Sequence, residues 1–409
     1  MERHSRYKSP RLALIMLSLA AAALAVRAGT SSVLALKMDA PSLERSVTLD
    51  RGNAEAAYRL ARLYHLNMSG GENRIQELYT ESIEDCPLCA PSWLGLAELF
   101  IDSGETGKAG IALARADELI PSSVGLLWDS SMLSLSLGDT GRALEKLRKV
   151  AKADPERREK VFDICRDLGS SPRVILDEVV SREALPDYIR YLIRRDMKAE
   201  TYPAWERAVR EGAVPGELAL GYIDYLISRD DVVKARSIWD GLYPGVRDPG
   251  VWNGGFEKDT ESRGFDWRLG KTEGVEAEYD YRNKTEGERS LKLKFSGDKN
   301  VDFHHAYQIV PVEPGSHYLL TSDISTDGIT TRNGIAWEVY CKSMGIQSEV
   351  YTGTVDWTQA RVAFDTPPEC NYVGVSLRRY KSDKLDNLIS GDAWIDNVRL
   401  IKLGPATDV

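Results

Sequence analysis

The chain has 409 residues, of which 43% are hydrophobic and 28% charged, and its formal net charge is −9 at pH 7. This length exceeds a single ordinary core and predicts two or three domains, and the composition excludes wholesale disorder. An acidic chain without a clustered basic face excludes nucleic acid as a partner, because neutralising a phosphate backbone needs such a face.

The N-terminus predicts export. An apolar run covers residues 12–26, and the basic residues before it are Arg3, Arg6, Lys8 and Arg11. Positive charge stays on the cytoplasmic side of a membrane while the apolar run enters the bilayer. Small residues up to Ala28 fit a cleaved signal peptide, whereas continuation to residue 36 fits a membrane anchor, and both alternatives stay open. Either one predicts a periplasmic chain or one anchored in the inner membrane and facing the periplasm, and an extracellular location would not contradict the sequence.

A repeat follows the N-terminal segment. Pro87, Pro121 and Pro155 recur at a spacing of 34 residues, and near-identical phrases begin at Ser103 and Leu137 in the same register. In this register the chain resembles the tetratricopeptide repeat family. The residues at the family's signature positions are Trp93, Leu96, Ala97, Phe100, Gly104, Ala109, Leu113, Ala116 and Pro121. The resemblance implies helix pairs that stack into a solenoid with a groove for a protein partner.

The repeat signature weakens toward the middle of the chain. Ser130, Ser131 and Ser134 occupy positions where the pattern asks for large residues. Apolar spacing remains helical up to about residue 246, which predicts degenerate helical repeats. Proline and glycine turns between Tyr243 and Gly250 then mark a domain boundary.

Alternating apolar residues predict a β-sandwich after this boundary. The predicted strands are residues 290–295, 304–312, 317–326, 335–342, 360–366, 372–380 and 393–403. Three phrases, which begin at Asn253, Tyr307 and Ala393, resemble jelly-roll carbohydrate-binding modules of the galactose-binding-like class. The sequence therefore predicts a multidomain α + β protein, with an N-terminal α-helical solenoid of tetratricopeptide type followed by an all-β jelly-roll sandwich.

The predicted segments divide the whole chain. In order they are a basic cytoplasmic segment (1–11), a signal peptide or anchor (12–36), a linker (37–52), tetratricopeptide-like repeats (53–155), degenerate helical repeats (156–246), a linker (247–252), the sandwich (253–403) and a tail (404–409).

Strand alternation predicts one sheet face that combines aromatic rings with planar polar groups. Its candidate ligand-binding residues are Gln308, Glu338, Tyr340, Tyr372, Arg378 and Tyr380. Such a face suits a polysaccharide, because rings cover the apolar side of a pyranose and fixed polar groups select its hydroxyls. The alternative is a face covered by loops or by the helical domain. The tryptophans predicted to lie in the core are Trp267, Trp337, Trp357 and Trp394.

The resemblance to carbohydrate-binding modules also implies a structural Ca²⁺ held by Glu257 and Asp396. Hydrogen bonds of these carboxylates within turns are the alternative. Five cysteines permit disulfides in an exported chain. Cys86 and Cys89 are candidates for a local structural disulfide or for two packed thiols, and strand-like segments place Cys341 and Cys370 as a second candidate pair. The candidate disulfide cysteines are therefore Cys86, Cys89, Cys341 and Cys370.

Catalytic motifs are absent from the sequence: it contains no nucleophile elbow, phosphate-binding loop, zinc motif or dinucleotide fingerprint. We therefore predict a non-catalytic binding or scaffold protein, not an enzyme. Its sandwich would bind an envelope or exported polysaccharide and its repeats a protein partner, in polysaccharide assembly or secretion, with the membrane as a further partner if the N-terminal segment is uncleaved. The alternative is a scaffold that binds only proteins.

Overall fold

The computed structural model describes residues 10–120, 122–244, 250–385 and 387–406. Helices come first and two antiparallel sheets follow, so the predicted order of a helical repeat region and a β-sandwich is confirmed. By internal contacts the chain divides into two compact units, Met1–Ala213 and Val214–Val409. Half of the predicted linker at 247–252, residues 247–249, lies outside the described residues, and the predicted domain bounds stay predictions.

The first unit is helical. Its helices are α1 (Pro10–Ala35), α2 (Ala40–Leu49), α3 (Ala54–Leu66), α4 (Glu72–Asp85), α5 (Ala90–Asp102), α6 (Thr106–Leu119), α7 (Val124–Ser136), α8 (Thr140–Ala153), α9 (Arg158–Asp167), α10 (Pro172–Val174), α11 (Leu185–Arg194) and α12 (Lys198–Arg210). A π-helical turn, Ile175–Val179, continues α10, and 3₁₀ turns Pro155–Arg157 and Arg182–Ala184 precede α9 and α11.

The 34-residue period appears as helix pairs joined by glycine turns. Gly104 follows α5 with φ of 78° and Gly138 follows α7 with φ of 77°, a left-handed conformation that glycine adopts without steric cost. Ala97 and Ala109 are fully buried, which lets α5 and α6 approach closely. Pro121, on which part of the repeat prediction rests, lies outside the described residues.

The second unit combines two helices with the sandwich. The helices are α13 (Gly216–Ser228) and α14 (Val232–Leu242). The strands are β1 (Arg268–Leu269), β2 (Val275–Asp280), β3 (Ser290–Ser296), β4 (Phe303–Pro311), β5 (Ser316–Ile329), β6 (Ala336–Cys341), β7 (Met344–Gln347), β8 (Gly353–Asp365), β9 (Tyr372–Arg379) and β10 (Ser390–Pro405). One sheet, the face sheet, has the order β1-β4-β9-β6-β7, and the other has the order β2-β3-β10-β5-β8.

Each strand predicted from alternation is present, with shifted ends. Three short strands were not predicted: β1, β2 and β7. β2 is weak in sequence because Glu276 and Glu278 alternate with residues that stay partly exposed, so the strand buries little apolar surface.

The two sheets enclose an apolar core, in which Trp267 and Trp337 are buried as predicted. Trp357 and Trp394 are only partly buried, and the prediction that they are core residues is wrong. In β10 the neighbours of Trp394, Ala393 and Ile395, point into the core, so the tryptophan between them must point outward.

Helices α13 and α14 form a hairpin that packs on the sandwich. The Trp239 ring lies 5.3 Å from the Trp252 ring and 5.9 Å from the Phe265 ring, between centroids. The Asp224 carboxylate accepts hydrogen bonds from the Gly264 N–H at 2.8 Å and from the Arg268 guanidinium at 2.9 Å. The last two helices of the region predicted as degenerate repeats therefore group with the strands.

Disulfides join Cys86 to Cys89 and Cys341 to Cys370. The second disulfide ties the end of β6 to the loop before β9, within the sandwich. Cys165 is a buried thiol, and burial raises its pKa to about 11, so it is protonated and unreactive at neutral pH.

Candidate ligand-binding face of the sandwich

The outer face of the face sheet is defined by the register of its central strand, β9. Val373, Val375 and Leu377 point into the core and are fully buried. Tyr372 and Arg378 alternate with them and point outward, together with the small residues of this strand. On the neighbouring strand β6, Trp337 and Val339 are buried, and Glu338 and Tyr340 point to the same outer face. Five of the six predicted candidates therefore lie on or beside one surface, which we call the aromatic face: Glu338, Tyr340, Tyr372, Arg378 and Tyr380.

Gln308 was predicted on this face and lies instead in the core, with 1% of its surface exposed. It pairs with Val375, and its amide group bonds both backbone atoms of Trp252, at 2.8 Å from Oε1 to N and 2.8 Å from Nε2 to O. The error came from treating Ile309 as the inward residue. Ala306 and Val310 have the same parity as Gln308 and are both buried, and this alternation was the available signal.

Tyr307 is the face residue that the sequence reasoning missed. It pairs with Ser376 on β9 and with Arg268 on β1, so its side chain is on the outer side of β4. The Arg268 guanidinium lies 5.6 Å from the centre of its ring, a cation–π contact. Tyr307 adds an aromatic ring to the β4 side of the aromatic face.

One part of the aromatic face is open. Tyr340 is 40% exposed and Tyr380 is 44% exposed. The Tyr340 ring lies across Gly374, where an added Cβ would come within 2.7 Å of ring atoms Cε1 and Cε2. Partial burial of the Tyr340 hydroxyl raises its pKa, and the neighbouring Tyr307 phenol adds to this effect. The Tyr340 ring can therefore lie flat on the sheet because Gly374 has no side chain beneath it.

Tyr380 and its neighbours form a connected polar group beside this ring. The Arg378 guanidinium lies 3.7 Å from the centre of the Tyr380 ring, and the Tyr380 hydroxyl donates to Glu338 Oε1 at 2.6 Å. Arg378 also bonds the Asp302 carboxylate and, at 3.1 Å, the carbonyl of Phe303. These contacts fix the planar groups before any ligand arrives, which lowers the entropy cost of binding.

The other part of the aromatic face contacts the helical hairpin. The Tyr372 hydroxyl donates to Asp230 Oδ1 at 3.1 Å, and Lys342 Nζ lies 2.6 Å from Asp230 Oδ2. Asp230 stands in the turn between α13 and α14. Covered and open portions thus coexist: the hairpin contacts the Tyr372 end, while the surface around Tyr340 and Tyr380 faces solvent.

The carboxylates of the calcium prediction are engaged by hydrogen-bond donors. Asp396 is fully buried, and its Oδ2 accepts from Thr285 N at 2.8 Å and Glu286 N at 3.1 Å, while Oδ1 accepts from Asn397 N at 2.7 Å. Both oxygens of Glu257 lie 3.0 Å from Glu288 N. Donors aimed at these oxygens do not fit a cation in the same place. The Thr285, Glu286 and Glu288 donors are distant in sequence from the carboxylates, so these hydrogen bonds join separate segments of the sandwich.

No group of three or more His, Cys, Asp or Glu residues in the described part of the chain is arranged to hold a metal ion. The calcium site at Glu257 and Asp396 stays a prediction.

A groove in the helical unit is the second candidate surface. It encloses about 160 Å³ and is lined by residues of the first helices of successive pairs, α3, α5 and α7. Tyr58, Arg62, Glu98 and Asp129 supply its polar groups, with Arg62 paired to Glu98. Burial raises the pKa of the Asp129 carboxyl. The groove thus offers apolar walls with charged groups that can select a bound segment.

No protein-family model matches the chain, and no curated protein matches it. Among solved structures, the β region is similar to a family 16 carbohydrate-binding module, at 19% identity over 37% of this chain and 98% of that chain, with a TM-score of 0.27. It is also similar to a CBM4 module, at 14% identity over 37% of this chain and 99% of that chain, with a TM-score of 0.27.

The helical region is similar to Pseudomonas aeruginosa pilF, at 16% identity over 55% of this chain and 91% of that chain, with a TM-score of 0.25. Such identities and TM-scores assign no ligand or partner to this chain. The helix pairs and the two sheets described above establish its architecture independently.

Proposed function

We propose that the chain is an exported, non-catalytic binding protein whose aromatic face recognises a polysaccharide and whose helical groove binds a protein partner. The observation that carries the proposal is the open surface around Tyr340 and Tyr380, two solvent-facing rings fixed beside Arg378 and Glu338 on one sheet.

The chemistry of this surface suits a sugar ring. A flat phenol such as Tyr340 covers the C–H face of a pyranose, and its burial there removes apolar surface from water. Glu338 accepts and Arg378 donates, and both are held in place by neighbouring side chains, so that they can select the positions of hydroxyl groups. A polar rim around exposed aromatic rings is typical of carbohydrate recognition.

The export part of the proposal is supported by α1. By length and composition, Leu14–Ala35 is apolar enough to cross a membrane, with a mean hydropathy of 1.6 and 6% of its apolar 18-residue stretch buried. Two disulfides agree with an oxidising compartment. An exported polysaccharide-binding chain with a second surface for a protein would serve polysaccharide assembly or secretion.

Affinity electrophoresis of the full chain in mild detergent tests the sugar-binding part. The gels would contain xylan, mixed-linkage β-glucan, galactomannan or a bacterial exopolysaccharide. We expect retardation by at least one polymer, and binding about tenfold weaker in a Tyr340→Ala, Tyr380→Ala double variant, because each ring loses its stacking contact. Tyr281→Ala is the control, since Tyr281 is 61% exposed on the same unit and lies away from the aromatic face.

Two glycine-to-alanine substitutions test the geometry of the aromatic face without removing any side chain. Gly374→Ala would displace the Tyr340 ring, whereas an added Cβ at Gly345, opposite Tyr340 on β7, meets nothing within 4 Å. We expect Gly374→Ala to weaken retardation and Gly345→Ala to leave it unchanged. Wild-type mobility that no polymer changes would favour the protein-only scaffold. Equal retardation of the wild type and all variants would mean that the sugar binds away from the aromatic face.

A further inference from the structure

The C-terminal end of α1 is part of the folded helical unit. Ala35 is 3% exposed and belongs to one apolar core with Leu43, Val47 and Leu60. Ser31 is fully buried, and its hydroxyl lies 2.9 Å from the Ser46 hydroxyl on α2. Two small polar residues thus bring α1 and α2 into close contact.

The contacts of α1 extend across the predicted cleavage point after Ala28. The Arg27 guanidinium donates to the carbonyl of Leu49 at 3.1 Å and 2.8 Å, and Leu49 is the last residue of α2. This carbonyl is one of those that a helix end leaves without an intrahelical partner. On the other side of Ala28, Asn53 donates to Ser31 at 2.8 Å. Residues on both sides of the point are therefore bonded to α2 and to the cap of α3.

The backbone at this point is regular helix, because α1 runs without a break from Pro10 to Ala35. Proteolytic cleavage favours exposed, weakly hydrogen-bonded segments such as loop tips. Cleavage after Ala28 would leave a seven-residue remnant, too short to form a stable helix alone, and would remove the Arg27 contact. Cleavage would thus remove a residue, Arg27, that is bonded to the folded unit.

The remaining part of α1 has the character of a membrane span. Residues 14–30 are exposed, and Arg27 is the one charged residue between Arg11 and Lys37. The fifteen residues between Arg11 and Arg27 give about 22 Å of helix, which is short for a hydrocarbon core of about 30 Å. Bilayers thin locally around short spans, and arginines at the ends of spans reach the interface.

We propose that α1 is a retained membrane anchor, with a bilayer as the partner of its exposed apolar surface, and that it continues as one helix into the first helical hairpin. The inference rests on the export proposed above. The basic residues before α1 place its N-terminal side in the cytoplasm, so the α1–α2 hairpin emerges at the outer surface of that membrane.

The mass of the mature chain tests the inference. The full chain with a C-terminal tag is produced in bacterial cells beside Ala28→Phe, which removes the small residue needed for cleavage at an exposed position. We expect both chains to carry residues 12–26 and to remain in the membrane pellet after carbonate washing. A wild-type chain that begins at Gly29 and is released, beside a retained Ala28→Phe chain, overturns the inference and leaves export intact. Recovery of both from the cytosol overturns export as well.

A stability measurement tests the contact on which the inference depends. Arg27→Ala should lower the thermal midpoint of the detergent-solubilised chain by about 2–4 °C, because the Leu49 carbonyl loses its donor. Arg45→Ala, an exposed change on α2, is the control. Equal midpoints for the two variants would mean that Arg27 does not stabilise the folded unit, and the inference from the residues before Ala28 would fail.

Discussion

Lys146 is a buried cation in the helical unit, with 4% of its surface exposed. Its ammonium group lies 2.7 Å from Asp117 Oδ2 and 2.8 Å from each hydroxyl of Ser130 and Ser134. Burial lowers the pKa of Lys146, and the ion pair with Asp117 opposes that shift. These contacts explain two of the departures from the repeat pattern in α7: Ser130 and Ser134 stand where the pattern asks for large residues, and they solvate a buried charge.

We expect Lys146→Ala to destabilise the helical unit by about 3 kcal/mol, because removal of one partner leaves the Asp117 carboxylate and two hydroxyls without their cation. Lys149→Ala is the matched control. Lys149 is on the same helix and pairs with Glu145 at 2.9 Å, but both side chains are more than half exposed, so its loss should cost less than about 1 kcal/mol.

Urea denaturation followed by circular dichroism at 222 nm measures both variants. Similar midpoints for the two would show that the Lys146 cluster contributes no more than a surface ion pair.

At the scale of elements, the α13–α14 hairpin depends on one glycine. Gly264 has φ of 59°, and an added Cβ would lie 2.7 Å from Cε3 of the Trp239 ring. The N–H of Gly264 also donates to Asp224 on α13. The loop therefore passes close to the tryptophan that anchors the hairpin on the sandwich, and no side chain fits there.

Gly264→Ala should cost about 2–4 kcal/mol, since overlap with Trp239 adds to the cost of a left-handed alanine. Gly315→Ala carries only the backbone cost of about 1 kcal/mol, because Gly315 has φ of 64° and an added Cβ there meets nothing within 4 Å. Tryptophan fluorescence during denaturation reports on the packing of Trp239 with Trp252. Equal losses for the two variants would show that the hairpin adjusts without cost.

The strands show how well the alternation of apolar residues predicts which side chains point into the core. In β9 and β6 the inward residues were predicted correctly, because Val373, Val375 and Val339 alternate with polar neighbours. In β4 two residues between Phe303 and Ala306 interrupt the regular pairing with β9, and Gln308 points inward to bond Trp252. The alternation of Ala306 and Val310 indicated that Gln308 points inward, but no local pattern identifies its partner Trp252, which is 56 residues away along the chain.

At the scale of the whole molecule, the two disulfides close loops of very different length. Cys86 and Cys89 are three positions apart in sequence, and Cys341 and Cys370 are 29 apart. The entropy that a disulfide removes from the unfolded chain grows with loop length, to about 3.6 kcal/mol for the longer loop and about 1.9 kcal/mol for the shorter one.

We therefore expect reduction to destabilise the sandwich more than the helical unit. A Cys341→Ser, Cys370→Ser variant should lose stability in its β signal, and a Cys86→Ser, Cys89→Ser variant should change the helical signal less. Denaturation with and without dithiothreitol separates the two, and dithiothreitol should have little further effect on a chain that lacks both pairs. A larger loss from the Cys86 and Cys89 change would contradict the loop-length argument.

The sequence by itself determined the elements and their order. The 34-residue period, the glycine turns and the alternation of apolar residues are local patterns, and they predicted helix pairs followed by a sandwich. Of the four tryptophans predicted to lie in its core, Trp267 and Trp337 are buried. The aromatic face was predicted correctly in β6 and β9, where Tyr340 and Arg378 follow the alternation, and wrongly in β4, where the polar Gln308 was assigned to the outer side although its parity is that of Ala306 and Val310.

Only the tertiary structure decided which residues meet across long stretches of chain. It brought Asp224 to Arg268 and Asp230 to Tyr372, so that a hairpin predicted as part of the repeats covers one end of the aromatic face. It also matched Lys146 with serines of α7. The physical reason is common to these cases: a side chain that points inward or pairs with a distant partner is selected by packing and register, whereas a period in sequence records only which face of its own element a residue occupies.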